Sequence, residues 1–297
     1  MMKFVKMELI TKGFSEDKKY CVTTSDGTKY LLRITPISRY ETRKSLFDML
    51  KQIAALDIPM CKPVEFGTCD EGVYSLQTWI EGEDLEKLIP SLSETTQYTL
   101  GLKAGEILKI LHSIQAPENS EDWSSKYIEG AYNQLEEFNK TGVKIEGSNT
   151  IFRYFENNKH LINNRPLCFN HGDYHTGNFM ITPNGDLYVV DWDMYSFGDP
   201  WNEFSAINNA DVFPHFATGL IRGYFGGSSS HGMEPPVEFW SVIALYLSVR
   251  ALSNICWAVY VSPASLGSCV QNVTDTLCWH DNMQNPVPTW YLKEIKL

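Results

Sequence analysis

Two short stretches constrain this chain more than any other feature: His171-Gly-Asp-Tyr-His-Thr-Gly-Asn178 and Val189-Val-Asp-Trp-Asp193. Apolar runs flank the first stretch, and a Pro-Asn-Gly-Asp turn at 183–186 precedes the second. This order predicts a loop, then a β-hairpin whose second strand, 187–190, leads directly into Asp191. The sequence therefore places several polar side chains in one loop and at the end of one strand, where they are candidates for an active site.

The residue types in these stretches suit phosphoryl transfer. Asp173 can orient a hydroxyl group and accept its proton, whereas the Asn178 amide and the Asp191 carboxylate are hard oxygen ligands of the kind that Mg²⁺ prefers. An H-x-D-x-x-x-x-N loop followed by an Asp at a strand end is typical of kinases. The alternative is structural: Asp173 and Asn178 would be ordinary turn residues, and Asp191 a carboxylate at a strand end.

These motifs resemble those of the aminoglycoside phosphotransferase and choline-kinase-like family of small-molecule kinases. The resemblance rests on H-G-D-Y-H-T-G-N at 171–178, V-V-D-W-D at 189–193 and G-D-P-W at 198–201. It implies a protein-kinase-like fold, ATP or GTP as the phosphate donor, and Mg²⁺. It also implies a hydroxyl acceptor of the aminoglycoside type, and hence a role in antibiotic resistance.

The neighbours of the catalytic Asp173 are expected to support it. His171 is expected to hold the loop by hydrogen bonds, with proton transfer as the alternative. His175 is expected to pack the loop, with substrate contact as the alternative. Asp193 is expected either to reach a second metal ion or to cap a turn, and Asp199 and Glu203 to bind backbone donors of the following helix.

The nucleotide side of the site has less distinctive signals. Neither G-x-x-x-x-G-K-[ST] nor G-x-G-x-x-G occurs in the sequence. Gly13-Phe14-Ser15 is the candidate turn for covering phosphates. Arg33 stands at the strand position where kinases typically carry Lys, and its guanidinium can bridge phosphates. Lys29 is the alternative cation, a surface role is the alternative for Arg33, and Glu41 and Asp48 are candidate partners for this cation.

The order of patterns predicts an α+β chain with two lobes. Residues 1–80 are expected to form a small nucleotide-binding sheet lobe with one helix, and residues 81–297 a larger, mainly helical, catalytic and substrate-binding lobe. The pattern predicts strands at 18–24, 29–35, 63–67 and 73–79, and helices at 39–55, 125–140 and 148–163. Capping boxes are expected at Ser38–Glu41 and Ser91–Glu94.

The composition narrows the functional classes. The 25 Lys and Arg against 36 Asp and Glu give a net charge of −11, which disfavours nucleic-acid binding and suits a cationic ligand. Seven cysteines without paired spacing disfavour a zinc site and favour a reduced, cytoplasmic setting. The apolar stretch 237–261 is expected to be a buried helix and not a membrane span. We expect a monomer or a homodimer.

The acceptor is the least constrained part. A small, cationic, hydroxylated substrate such as an aminoglycoside would need a wall of carboxylates. The candidate acidic residues are Asp211, Glu234, Glu238, Asp275 and Asp281; the candidate aromatic residues are Trp201, Tyr224, Trp240, Trp257, Trp279 and Trp290. The alternatives are a metabolic kinase for a small alcohol (choline, homoserine or a thiosugar) and a nucleotide-binding regulator without catalysis.

Overall fold

The computed structural model describes residues 2–11, 17–118, 122–207, 209–226 and 232–295. The chain packs as two compact units. The first unit combines Met1–Leu88 with Thr176–Asp193, and the second combines Ile89–His175 with Met194–Leu297. The segment 176–193 thus belongs by packing with the N-terminal sheet. The division of function between two lobes at residue 80 stays a prediction.

The described residues form ten β-strands and eight α-helices. The strands are β1 (Lys6–Ile10), β2 (Lys18–Thr23), β3 (Lys29–Thr35), β4 (Pro63–Cys69), β5 (Gly72–Thr78), β6 (Glu83–Asp84), β7 (Cys168–Asn170), β8 (Phe179–Ile181), β9 (Leu187–Val189) and β10 (Ser196–Gly198). The helices are α1 (Tyr40–Ala54), α2 (Leu85–Leu88), α3 (Glu94–Leu111), α4 (Trp123–Thr141), α5 (Ser148–Asn158), α6 (Pro214–Gly226), α7 (Val237–Tyr260) and α8 (Leu266–Trp279).

A five-stranded antiparallel sheet, in the order β1-β2-β3-β5-β4, makes up much of the first unit. The four predicted strands are confirmed with small shifts of their ends, because apolar alternation and Gly-containing turns marked them. Val22, Leu32 and Leu76 are among the residues of its buried core. Strand β1 was not predicted. Its side chains are mostly exposed at the sheet edge, so no alternation of buried and exposed residues marks it.

The helix between β3 and β4 is confirmed as α1, which buries Leu46, Phe47, Leu50 and Ile53. The capping boxes predicted at Ser38–Glu41 and Ser91–Glu94 are wrong. A 3₁₀ turn leads directly into α1, and its N-cap Arg39 makes no side-chain capping bond. At α3 the N-cap is Ser93, whose hydroxyl accepts the N–H of Thr96 at 3.2 Å.

The β-hairpin predicted before Asp191 is confirmed in the first unit. β8 pairs with β9 in antiparallel register, and β6 adds a third strand beside β8. The turn closes through the N–H of Thr182 and the carbonyl of Asp186 at 3.0 Å, with Gly185 at φ +80°. The N–H of Val189 also donates to the Pro59 carbonyl at 3.0 Å, which ties the hairpin to the segment after α1.

The second unit is mainly helical, as predicted. α4, α5, α7 and α8 share a core that includes Leu135, Phe155, Leu245, Leu252 and Val273. α7 is long and apolar enough to cross a membrane by length and composition, but 72% of its most apolar window is buried inside the fold. The prediction of a buried helix at 237–261 is therefore confirmed.

Candidate active site

A cluster of two arginines and two aspartates, in which Asp193 alone is partly exposed, lies in the first unit. Arg33, on β3, binds Asp17 at 3.1 Å and also pairs with Asp193. Arg43, on α1, binds Asp17 at 2.5 Å and Asp193 at 2.8 Å. The Arg33 side chain is only 10% exposed. The surface role that was the alternative for Arg33 is therefore wrong.

The carboxylate partners of Arg33 differ from the two that the sequence offered. Asp48 pairs with Lys44 and with Lys51 on the surface of α1, and within the described residues Glu41 makes no bond with Arg33. The inward position of α1 carries Arg43, a second cation, so the carboxylates come from other segments. Lys29, the alternative cation, is half-exposed and pairs with Glu81 at 2.6 Å.

Asp193 is ionised in this cluster more readily than an ordinary aspartate. Burial opposes its charge, but the neighbouring Arg33 and Arg43 guanidinium groups outweigh that effect and hold the pKa of Asp193 below its usual value. Its carboxylate is engaged by both arginines, whereas the sequence left open a second metal ion or a turn cap.

Asp191 and Asn178, the predicted ligands of Mg²⁺, carry side-chain oxygen atoms of the kind that this ion prefers. Asp191 follows β9 in a left-handed conformation, φ +65°, and its side chain is 42% exposed, with Arg33 Nη1 at 3.9 Å. Asn178 ends the 3₁₀ turn Thr176–Asn178, the last part of the predicted catalytic loop 171–178, and its carbonyl accepts the Val190 N–H at 3.0 Å. No three His, Cys, Asp or Glu side chains of the described segments cluster as metal ligands. Magnesium commonly takes one or two protein ligands and completes its shell with phosphate oxygens and water, so two side chains of this chemical type match its usual donor set. The candidate phosphate turn Gly13-Phe14-Ser15 lies outside the described residues.

The catalytic loop begins in the second unit, directly after β7. The buried Glu203 carboxylate accepts the backbone N–H groups of His171 at 2.5 Å and Gly172 at 2.9 Å. His171 is fully buried, and its Nδ1 accepts the N–H of Asp173 at 3.3 Å. Gly172 adopts φ +85°, and a Cβ there would lie 2.2 Å from the Met194 carbonyl oxygen. Side-chain and backbone contacts thus fix the loop just before Asp173.

Asp199 anchors the segment that carries Glu203. It caps the 3₁₀ turn Pro200–Ala206 by accepting the Trp201 N–H at 2.9 Å, as predicted. Its carboxylate also pairs with Arg165 and accepts the Tyr246 hydroxyl at 2.7 Å. Burial, and then the Asp199 charge, raise the pKa of Tyr246 well above its usual range. The same prediction is wrong for Glu203, which caps the catalytic loop, because its side chain points to donors more than thirty residues earlier.

The Asp173 carboxylate lines a cavity of about 140 Å³ in the second unit. Its Oδ2 lies 3.1 Å from His175 Nε2, and its Oδ1 lies 3.3 Å from Nη2 of Arg250 on α7. The other lining residues are Ser205, Ala206, Ile207, Leu247, Ala251, Asn254, Asn272, Thr276 and Trp279. Sequence reasoning missed Arg250 as a site residue. Its one signal was a cation in the middle of an apolar helix.

The acidic wall expected for an aminoglycoside does not line this cavity: Asp211, Glu234, Glu238, Asp275 and Asp281 are all outside it. Glu234 instead binds Arg222 and accepts the Tyr291 hydroxyl at 2.8 Å. Among the candidate aromatic residues, Trp279 reaches the cavity.

Solved structures share this fold over nearly the whole chain. A choline/ethanolamine kinase family protein from Mesorhizobium loti has a TM-score of 0.65 at 16% identity, covering 95% of this chain and 92% of that one. The gentamicin complex of APH(2")-IIa has a TM-score of 0.64 at 16% identity, covering 91% of both chains. The spectinomycin phosphotransferase APH(9)-Ia, in complex with ADP and spectinomycin, has a TM-score of 0.59 at 14% identity, covering 92% of this chain and 89% of that one. At such identities the likeness shows the fold, which is protein-kinase-like.

The sequence itself identifies the family. Residues 6–239, most of the chain, match the phosphotransferase enzyme family APH. The chain belongs to this family, which confirms the resemblance drawn from the catalytic motifs. No curated protein matches the sequence significantly.

Proposed function

We propose that the protein transfers the γ-phosphate of ATP, with GTP as the alternative donor, to a hydroxyl group of a small molecule. The observation that carries this proposal is the position of Asp173, at the wall of a cavity and on a loop fixed by Glu203. Membership of the phosphotransferase family supports the reaction class. The ADP bound to the spectinomycin phosphotransferase of the same fold supports an adenine nucleotide.

Asp173 acts in this proposal as the group that receives the acceptor hydroxyl. A carboxylate at the cavity wall can accept a hydrogen bond from the hydroxyl, align its oxygen for in-line attack and take up its proton. His171 and Glu203 hold the loop, so that little reorganisation is needed when the acceptor binds. Catalysis would then depend mainly on positioning and electrostatics, as expected for a loose phosphoryl-transfer transition state.

The nucleotide is assigned to residues of the first unit. Asn178 and Asp191 would hold Mg²⁺, which when bound neutralises charge on the phosphate oxygens. Arg33 supplies the cation for the nucleotide phosphates, and Arg43, Asp17 and Asp193 fix its guanidinium. Gly13, Ser15 and Lys29 stay predictions as further nucleotide contacts.

Two acceptor classes are compatible with this chemistry. An aminoglycoside, as the resemblance implied, and a small metabolic alcohol would each present a hydroxyl to Asp173. A nucleotide-binding regulator without catalysis is the third possibility, and Asp173, Asn178 and Asp191, all present, argue against it. The role in antibiotic resistance depends entirely on the acceptor.

The test is nucleotide-dependent product formation with Mg²⁺ across a panel of acceptors. ADP or GDP release and the phosphorus NMR spectrum of the product would be measured for the wild type, Asp173→Asn and Glu136→Gln. Glu136 is a suitable control because it is exposed on α4 and pairs with Lys140. We expect Asp173→Asn to lose at least a hundredfold in kcat while ATP still stabilises it in thermal unfolding. Equal turnover by Asp173→Asn and wild type would refute the role of Asp173; ATP binding without turnover on any acceptor would favour the regulator.

A further inference from the structure

The charges around the cavity beside Asp173 do not suit a polycation. Asp173 is the one carboxylate among the lining residues, and Arg250 already contacts it at 3.3 Å. Apart from His175, the remaining lining side chains are neutral. An acceptor with several ammonium groups would meet one shared carboxylate and a guanidinium that repels it, which costs binding energy.

Arg250 occupies an unusual place for a cation. It lies in the middle of α7, a helix whose other side chains are mostly apolar and buried. Leu247 and Asn254, one helical turn before and after it, line the same cavity. The Arg250 side chain is 36% exposed, so its guanidinium has access to the cavity and is not sealed in the core.

The guanidinium of Arg250 has N–H donors available for a ligand. Arginine carries five N–H donors in a planar fork that matches a carboxylate or a phosphate. Among the described residues, the side-chain hydrogen bond of Arg250 is the one that Nη2 donates to Asp173 Oδ1 at 3.3 Å. The amides of Asn254 and Asn272 line the same cavity and could bind the remaining oxygens of an anion.

The volume of the cavity also favours a small acceptor over an aminoglycoside. Pockets for drug-sized ligands usually enclose roughly 300–1,000 Å³, whereas this cavity holds about 140 Å³. A compact hydroxy acid or a short sugar phosphate is closer to this volume than a multi-ring aminocyclitol.

We propose that the acceptor is a small hydroxylated anion, bearing a carboxylate or a phosphate group that Arg250 binds. This inference rests on the proposed phosphotransferase function and names its substrate class. The anionic group competes with Asp173 for the Arg250 guanidinium, which frees the Asp173 carboxylate to receive the acceptor hydroxyl. A neutral or cationic alcohol cannot compete for Arg250 in this way, so the pair of residues selects for an anion.

The test uses acceptors that share a hydroxyl skeleton and differ in charge. Glycerate against glycerol and gluconate against glucitol report on a carboxylate; glucose 6-phosphate against glucose reports on a phosphate; kanamycin and choline are the cationic members. With ATP and Mg²⁺, we expect at least one anionic member to exceed its neutral counterpart by about tenfold or more in kcat/KM. Which of the two anionic series responds decides between carboxylate and phosphate.

Arg250→Gln and Arg250→Lys separate charge recognition from folding. Arg250→Gln should raise KM for the anionic acceptor by about tenfold or more while changing KM for ATP little, and Arg250→Lys should recover part of the loss. Thermal unfolding of both variants shows whether they fold. A wild type that prefers kanamycin, choline or the neutral alcohols, or an Arg250→Gln variant that keeps the anion preference, overturns the inference.

Binding without nucleotide distinguishes failure of the inference from failure of the proposed function. Titration calorimetry with glycerate, gluconate and glucose 6-phosphate needs no turnover. Binding of an anion that Arg250→Gln abolishes would support the anion site even if no phosphate is transferred, and would then count against the phosphotransferase proposal alone. Phosphate transfer to a neutral or cationic acceptor, with no binding of any anion, would overturn the anion site and leave the proposed function standing.

Discussion

The buried carboxylate of Glu203 accepts the backbone N–H of His171 at 2.5 Å. It also accepts the N–H of Gly172 at 2.9 Å, so one side chain satisfies two consecutive backbone donors at the start of the catalytic loop. A buried carboxylate is costly unless its oxygens are bonded, and these donors offset that cost. Glu203 therefore links the stability of the second unit to the position of Asp173.

Replacing Glu203 by Gln should weaken both stability and turnover. The amide oxygen can accept one of the two N–H groups, but the NH₂ group then faces the other donor, which leaves it unsatisfied. We expect a loss of about 1–3 kcal/mol in the free energy of unfolding. We also expect a lower kcat, with KM for ATP little changed, because Asp173 loses its fixed position. Urea unfolding and steady-state kinetics measure the two effects. Glu136→Gln is the matched control, and a Glu203→Gln variant as stable as this control would contradict the prediction.

Replacement by lysine should distinguish the roles of the two buried arginines of the first unit. Lysine keeps the charge but cannot bind two carboxylates with a planar fork. Arg33→Lys and Arg43→Lys should each lose about 1–3 kcal/mol of stability, since Arg33 and Arg43 both pair with Asp17 and Asp193.

Only the Arg33 replacement is expected to raise KM for ATP directly, because Arg33 is the proposed phosphate contact. The control is Arg39→Lys, since Arg39 is half-exposed and lies 3.7 Å from the same Asp17 carboxylate. A larger rise in KM for ATP in Arg43→Lys than in Arg33→Lys would reverse the assignment of the two arginines.

The sequence predicted correctly those elements that depend on neighbouring residues alone. The hairpin from β2 to β3 and the catalytic hairpin from β8 to β9 follow from apolar alternation and a Gly turn, and both are observed. The motif around Asp173 could also be recognised from the sequence, because its residues lie close together in the chain. The capping boxes failed because several nearby Ser and Glu residues satisfy the same pattern, and only the backbone decides which one caps.

Partners that are distant in sequence could not be predicted in the same way. Arg250 and Asp173 are 77 residues apart, and Arg43 and Asp193 are 150 residues apart. Nothing in the local pattern says that Arg43, and not Glu41 or Asp48, faces the cluster, since that depends on how α1 rotates against the sheet. A charged residue inside an apolar helix is the one local signal of such a partner. Arg250 is such a residue, and it lines the cavity.

The stability contributed by Asp193 should depend on pH. Its pKa lies below the usual 3.8, so the folded protein keeps the carboxylate charged at a pH where the unfolded chain protonates it. The contribution is fully present well above pH 3.8 and is lost as the pH falls through the lowered pKa. The difference in unfolding free energy between the wild type and Asp193→Asn should therefore shrink below that pH.

Urea unfolding of the wild type and Asp193→Asn between about pH 3 and pH 7 measures this difference. Asp48→Asn is the control, because Asp48 pairs with Lys44 and Lys51 in solvent, where such pairs contribute little. A difference that stays constant or grows towards low pH would show that Asp193 does not stabilise the fold through its charge.

Replacing a glycine at the contact between α3 and α6 by alanine should destabilise the protein. The same replacement at a helical glycine with open space around it should not. A Cβ on Gly105 would lie 2.1 Å from the Leu220 carbonyl oxygen and 2.4 Å from the Tyr224 nitrogen. These are backbone atoms, so the two helices would have to separate. We expect Gly105→Ala to lose about 1–3 kcal/mol or more in the free energy of unfolding.

Gly130 supplies the matched control, because it also lies inside a helix, α4, but a Cβ there meets no atom within 4 Å. Gly130→Ala should gain about 0.5–1 kcal/mol, since alanine restricts the unfolded chain and favours the helix. Urea unfolding of both variants gives the two changes under one condition. Changes of opposite sign would establish that close approach, and not helix propensity, selects glycine between α3 and α6; equal stabilisation of both variants would mean that these two helices are not packed at backbone contact.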